Sequence, residues 1–291
     1  PYTINQLTNN AYDDTYPQIN NNGHVVWAGP TGSEGEIFFY DGVSVVQLTN
    51  NAYADYQPQI NNNGYVAWYG NREGASGLVK EIFLHDGSST TQLTDHFYGD
   101  TEPLTVLKMN NNGYLVWEES GYSSFHEIFL YDGTNIDQLT NDTSYYDTSP
   151  EINDNGHVVW FKEYMPSGWV YLYDGTSMVQ ISTNFWYADA DPQINNNGYV
   201  VWQGPDSGGS DAEIFLYNGT ETIQLTDNDY ADHSAQINDN GHVVWCGMAG
   251  EEYGFGEIFL YDGTGITRLT NNSHYDADPQ INNKGYVAWV G

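Results

Sequence analysis

The sequence predicts an all-β chain folded as a seven-bladed β-propeller of four-stranded blades, one domain spanning residues 1–291. Three recurring phrases carry this reading. The phrase INNNGHVVW, at Ile19 to Trp27, returns from Ile60, Met109, Ile152, Ile194, Ile237 and Ile281, at steps of 41, 49, 43, 42, 43 and 44 residues. EIFLYDG recurs near Glu36, Glu81, Glu127, Trp169, Glu213 and Glu257. VVQLTN ends near Thr8, Thr49, Thr94, Thr140, Ser182, Thr226 and Thr270. A supersecondary unit repeated at such a period is the signature of a stacked or radial array.

Each unit reads as four strands. Pro-Gln-Ile is strand a, and Asn-Asn-Asn-Gly reverses it into strand b (HVVW), because Asn and Gly accept the positive φ of tight hairpin turns. Strand c (EIFLY) turns through Asp-Gly into strand d (VVQLT). Alternation of Glu, Phe and Tyr against Ile and Leu has the two-residue period of a strand, and no helical period competes with it. Four strands in about 42 residues match one propeller blade.

These phrases resemble the TolB-like propeller repeat, with its proline, Asp-Gly hairpin, aromatic-ended strand and closing Leu-Thr. They are also similar to the extracellular HAF-type repeat, with its Ile-Asn-x-x-Gly-x-Val-Val opening. The resemblance spans nearly the whole chain, with Asn-Asn-Asn-Gly standing where TolB-like units carry Ser-Pro-Asp-Gly. It implies a propeller and an extracellular, cell-surface or periplasmic setting, and it is almost silent on activity.

Strands a, b and d occur seven times but strand c only six. A lone strand d (Tyr2 to Thr8) opens the chain, so the last blade is expected to be assembled from both termini and to lack one strand. Truncation or a naturally incomplete blade explains this more simply than a strand donated by a neighbour. Donation would build filaments through the unpaired edge. The start at Pro1, without Met or signal peptide, reads as a mature or trimmed product.

Composition narrows the partners. Six Lys and Arg against 39 Asp and Glu give a net charge of −33, which repels phosphate backbones and anionic membrane surfaces. No apolar run reaches the roughly 18 residues of a membrane helix. Nine Trp, 25 Tyr and 11 Phe supply a core despite the low hydrophobicity. The single cysteine, Cys246, excludes an intramolecular disulfide and reads as a buried thiol at the end of strand b.

One face of the disc carries the uniform a–b and c–d turns, and the other the d–a loops and the variable b–c loops. Three residues before the strand-a proline, or its Ala235 counterpart, stands an Asp in every unit: Asp14, Asp55, Asp100, Asp147, Asp189, Asp232 and Asp276. Their regularity fits a backbone-shaping Asx role. Clustered carboxylates also suit a hard cation, so calcium is the one cofactor expected. Glu36, Glu81, Glu127, Glu213 and Glu257 open strand c and read as solvated rim residues. His or Tyr after the hairpin glycine (His24, Tyr65, Tyr114, His157, Tyr199, His242, Tyr286) reads as packing on the turn. The aromatics Tyr122, Phe125, Tyr164, Tyr253 and Phe255 of the variable loops are the candidate ligand-binding residues.

No unit breaks the pattern to form a nucleophile–base pair, so no catalytic residue is assigned. The expected function is a non-catalytic extracellular binding or scaffold module for a neutral glycan or a protein. Two alternatives stand beside it. One is a glycan-cleaving enzyme using carboxylates such as Glu118, Glu119, Glu163, Asp206, Glu251 and Glu252. The other is a filament or surface-layer subunit that self-associates through the incomplete blade.

Overall fold

The computed structural model of the chain describes residues 4–30, 35–74, 77–96, 103–120, 125–164, 167–183, 185–186, 190–205, 211–249 and 255–291, with backbone only at 103–105, 185–186, 249 and 255. Among these residues there are seven antiparallel sheets and no helix. Six sheets run a-b-c-d in spatial order, and the last pairs only strand a (Ala277–Ile281) with strand b (Val287–Val290). The chain forms two compact units, Pro1–Ser124 with Phe129–Asp137, and Phe125–Ile128 with Gln138–Gly291.

Strand b forms the core of each blade. Trp68, Trp117, Trp160, Trp202 and Trp245 are almost fully buried, each flanked by buried valine, leucine or alanine. Each indole stacks on the aromatic ring opposite it on strand c: Trp68 on Phe83, Trp160 on Tyr171, Trp245 on Phe259, with centroids 5.7–5.8 Å apart. Such offset ring pairs add to the area they bury. In the last sheet strand c is absent, and Trp289 is 43 % exposed. The described N-terminal residues Ile4–Thr8 belong to no strand, although Gln6 Nε2 donates to the Thr8 carbonyl at 2.7 Å as Gln47 does to Thr49. Among the described residues the ladder of this sheet holds strands a and b alone. Strand d pairs only with strand c in every complete blade, so without strand c it has no ladder to join.

The Asn-Asn-Asn-Gly turns do more than reverse the chain. The first Asn caps its own turn: Asn153 Oδ1 accepts the backbone N–H groups of Asn155 at 3.0 Å and His157 at 2.9 Å. Its Nδ2 then donates to the same position one blade on, Asn153 to the Asn195 carbonyl and Asn195 to the Asn238 carbonyl at 2.8–2.9 Å. Within the first unit Asn20 reaches Asn61, and Asn61 reaches Asn110. A carboxamide can accept with its oxygen in its own turn and donate with its nitrogen to the next. The ring after the turn packs against the neighbouring glycine, as expected: a Cβ on Gly113 would lie within 2.6 Å of the Tyr65 ring, so glycine is required there. The same turn glycine also has φ +80°, a conformation other residues adopt rarely.

Candidate functional site

Polar side chains at the d–a crossings form a relay from strand c of one blade to strand b of the next. In blade 1, Glu36 Oε1 accepts the Asn51 N–H at 3.0 Å. Asn51 Nδ2 donates to Asp55 Oδ2 at 2.6 Å, and Asp55 Oδ1 accepts the Trp68 indole N–H at 3.1 Å. The relay recurs at Glu213, Asn228, Asp232 and Trp245. At Glu257, Asn272 and Asp276 its first two links are kept. Glycine two residues after the tryptophan makes the room: a Cβ on Gly29 or Gly291 would lie 2.5 Å from Asp14 or Asp276 Oδ1.

The strand-c glutamates are thus not rim residues: Glu36, Glu81, Glu127, Glu213 and Glu257 are at most 4 % exposed. Their carboxylates accept the loop N–H that the crossing would otherwise orphan. The described aspartates are likewise engaged within the framework, Asp14 with Asn10 and Asp147 with the Trp160 indole at 2.8 Å. Among the described residues no group of three His, Cys, Asp or Glu side chains is placed to hold a metal ion. Asp100 and Asp189 lie outside the described residues.

Two crossings depart from the pattern. In blade 3 the Trp117 indole donates to Glu119 Oε2 at 3.0 Å, so Glu119 replaces the aspartate. His96 replaces the asparagine, with Nδ1 2.9 Å from Glu81 Oε2 and Nε2 2.6 Å from Glu119 Oε1. Both nitrogens face carboxylates, and only imidazolium donates on both sides. Burial alone would lower the His96 pKa, but the bonds to Glu119 and Glu81 push it up to about 10. A signal was present in the sequence: the 49-residue step leaves Asp100 nine residues ahead of Met109, where Asp14 stands five ahead of Ile19.

The other departure is blade 4. Asp142 takes the asparagine position, and Lys162 takes the glycine position and pairs with Asp142, its Nζ also 3.8 Å from Asp147 Oδ2. Trp169 takes the glutamate position, opposite Lys162 in the b–c register. A fifth strand, Phe185–Trp186, pairs with strand c (Ser167–Tyr173), and this sheet alone has five strands among the described residues. Around this hairpin the rings gather. Tyr145 lies 5.7 Å from Tyr164 and 5.9 Å from Trp169, and Lys162 Nζ sits 4.7 Å from the Tyr145 ring. Beside them Tyr146 meets Phe125 at 4.9 Å and His126 at 5.2 Å. Tyr164 remains 57 % exposed.

Two of the five candidate aromatics, Phe125 and Tyr164, are therefore each held in a ring contact, with Tyr146 and with the adjacent Tyr145 respectively. Sequence reasoning did not place Tyr146 or Trp169 in the site; the Tyr-Tyr doublet and the lone Trp among strand-c glutamates were the available signals. Tyr122 and Tyr253 lie outside the described residues, and only the backbone of Phe255 is described. Of the carboxylates considered for glycan cleavage, Glu118 and Glu119 are both 7 % exposed and point to opposite sides of one strand. Asp206, Glu251 and Glu252 lie outside the described residues. Cys246 is fully buried with Sγ 3.3 Å from the Asp276 carbonyl, and burial pushes its thiol up to about 11, as a packing thiol requires.

Burial pushes Asp147 up to about 7, against the opposing pull of Lys162. Burial likewise pushes Glu213 up to about 7. Both folded values exceed those of an unfolded chain, so the fold binds these protons more tightly. Their contribution is complete below about pH 4 and is lost as pH rises through 7. Denaturation midpoints of the wild type are expected to fall across that window, and Asp147→Asn should flatten the fall.

No protein-family model and no curated protein sequence matches the chain. Solved structures do. The Porphyromonas gingivalis dipeptidyl peptidase 4 aligns over 91 % of this chain and 47 % of its own, at 14 % identity and a TM-score of 0.70. A Mycobacterium tuberculosis puromycin-hydrolyzing peptidase aligns over 94 % of this chain and 47 % of its own, at 12 % identity and a TM-score of 0.55. TolB from Acinetobacter baumannii aligns over 89 % and 71 %, at 14 % identity and a TM-score of 0.48. The chain spans about half the length of the two peptidases. At these identities the likeness to the two peptidases is one of fold, and with the repeated four-stranded sheets it defines the chain as a β-propeller.

Proposed function

We propose that the chain is a non-catalytic, extracellular or cell-surface binding propeller that stacks a neutral glycan on the aromatic cluster of blade 4. The observation carrying this reading is the exposed ring of Tyr164, 5.7 Å from the Tyr145 ring, which itself lies 5.9 Å from Trp169. Aromatic faces bury the apolar side of a sugar ring at low entropic cost, while the partly exposed Lys162–Asp142 pair lies beside Tyr145. The net charge of −33 disfavours acidic sugars. The conspicuous acids and His96 are engaged in the relay, which supports binding over turnover.

On a glycan array the wild type is expected to retain neutral oligosaccharides without releasing product. Tyr164→Ala should weaken that binding about tenfold, the loss of a ring contact near 1.4 kcal/mol. Released sugar products would overturn the reading. A second reading comes from the alignment with half of each of two peptidases: the chain serves as the binding propeller of a longer peptide-handling protein. Retention on a peptide array, with none on the glycan array, would select it.

A further inference from the structure

The chain holds seven Asn-Gly pairs, and the structure sets one of them apart. Six close the a–b turns, at Asn22, Asn63, Asn112, Asn155, Asn197 and Asn240. The seventh, Asn218-Gly219, forms the c–d turn of blade 5, where the other five described c–d turns carry Asp-Gly. Such a pair is open to one spontaneous reaction, because glycine has no side chain to shield its nitrogen from the asparagine amide carbon.

In the a–b turns the reacting groups are occupied. Each glycine N–H donates to the carbonyl of the first turn asparagine at 3.0–3.1 Å. The amide nitrogens of Asn22, Asn63, Asn155, Asn197 and Asn240 donate to a backbone carbonyl one blade on, at 2.5–2.9 Å. At Asn218 the pattern is inverted. Neither the Gly219 N–H nor Asn218 Nδ2 has a hydrogen-bond partner among the described residues, and Gly219 and Thr220 are exposed. The donors gather instead on the oxygen. Asn218 Oδ1 accepts the Thr220 N–H at 3.0 Å, the Thr220 hydroxyl at 2.8 Å and the Glu221 N–H at 3.0 Å. Gly219, at φ +91°, takes the first central position of a two-residue hairpin turn, which holds those donors in place. Donors so arranged stabilise negative charge on the oxygen they face. In the equivalent turn of blade 4, the N–H of Ser177 and the hydroxyl and N–H of Thr176 hold the Asp174 carboxyl below the usual carboxylate range.

We infer that Asn218 is a self-modification site, where the Gly219 nitrogen displaces the side-chain amide as ammonia and water then leaves aspartate or isoaspartate. The Gly219 nitrogen gives its proton to solvent base and bonds to Asn218 Cγ, and the C=O electron pair moves to Oδ1 among its three donors. As that pair returns, the Cγ–Nδ2 bond breaks and the nitrogen leaves as ammonia with a proton from water. Water then opens the cyclic imide, at Cγ to give aspartate or at the main-chain carbonyl to give isoaspartate. Nothing is oxidised or reduced, and one water is consumed for each ammonia released. The aspartate product is the residue that Asp41, Asp86, Asp132, Asp174 and Asp262 already supply at this place in the repeat.

Peptide mapping by mass spectrometry of the full chain, aged in mildly alkaline buffer, tests the inference. In the folded protein Asn218 is expected to convert at least about tenfold faster than any a–b asparagine, a barrier difference near 1.4 kcal/mol. In urea, with the turns undone, all seven pairs are expected to convert at similar rates. Thr220→Val removes one donor from the oxygen while keeping the branched side chain. It should slow Asn218 about two- to tenfold and leave the other pairs unchanged. Conversion of Asn218 no faster than the a–b asparagines in the folded chain would overturn the inference. So would a lead of Asn218 that persists in urea, or a wild-type rate in Thr220→Val.

Discussion

His96→Ala is expected to destabilise the chain by about 3 kcal/mol, the largest effect of any single relay substitution. The side chain is 12 % exposed and holds Glu81 and Glu119, whose side chains are 1 % and 9 % exposed. Removing it leaves two facing carboxylates without their shared cation, and the Trp117 indole loses its fixed acceptor. Breaking a buried ion pair by deleting one partner costs far more than the pair contributes, because the remaining charge stays buried. The pH dependence is a second signature. Burial opposes the charged form of His96, but the carboxylates on both sides raise its pKa from 6.5 to about 10. A folded value above the unfolded one means this stabilisation is complete below about pH 6.5 and is lost as pH rises through 10. Denaturant midpoints of the wild type should fall over that alkaline range, and those of His96→Ala should not. A flat wild-type profile there would refute the imidazolium bridge.

Asp55→Ala is expected to cost about 2–3 kcal/mol, whereas Asp14→Ala costs less than about 0.5 kcal/mol. Both occupy the same repeat position, so sequence assigns them one effect. Asp55 is fully buried and accepts from the Trp68 indole and the Asn51 carboxamide. Its loss orphans a buried N–H and opens a void against Gly70, where the carboxylate fills space that a Cβ would otherwise take. Asp14 is only partly buried, and its described bond is a 3.3 Å contact with exposed Asn10. Asp55→Asn keeps an acceptor for the indole and should recover at least half of the loss. The same variants discriminate the cation reading of these aspartates. If the positions bind calcium, added calcium raises the wild-type melting temperature and the rise disappears in Asp14→Ala as well as Asp55→Ala. If they serve as indole acceptors, calcium moves neither, and the two variants differ only in stability.

The relay explains why repeated sequence was informative in one way and misleading in another. Repetition marked Asp, Glu and Trp as positions of consequence. It assigned the strand-c glutamates to a solvated rim because a lone glutamate at a strand start ordinarily faces water. What buries Glu36 and Glu81 is the N–H of the loop after strand d, fifteen residues further on. That partner is set by how strand d returns beside strand c, which no local pattern records. Exchange at His96 and Glu119 was hidden for a related reason. The proline in blade 3 kept its spacing to Asp100, so the position looked filled, while the strand itself was in another register and brought Glu119 to the indole.

The aromatic site divides in the same manner. Phe125 and Tyr164 were legible as exposed rings in variable loops, but the rings they meet were not. Tyr145 and Tyr146 take one each because successive positions at the start of a strand point to opposite sides, one toward Tyr164 and one toward Phe125.

By itself the sequence determined the propeller. Its period, its Asn-Asn-Asn-Gly and Asp-Gly turns and its two-residue alternation are all local properties, written in spacing and turn chemistry. Tertiary structure decided which polar groups are buried and which rings meet at blade 4. These depend on hydrogen bonds and packing between segments far apart in the chain. A repeat fixes the frame because each unit answers to the same local rules; it leaves the site open because the exceptions acquire meaning only beside their neighbours.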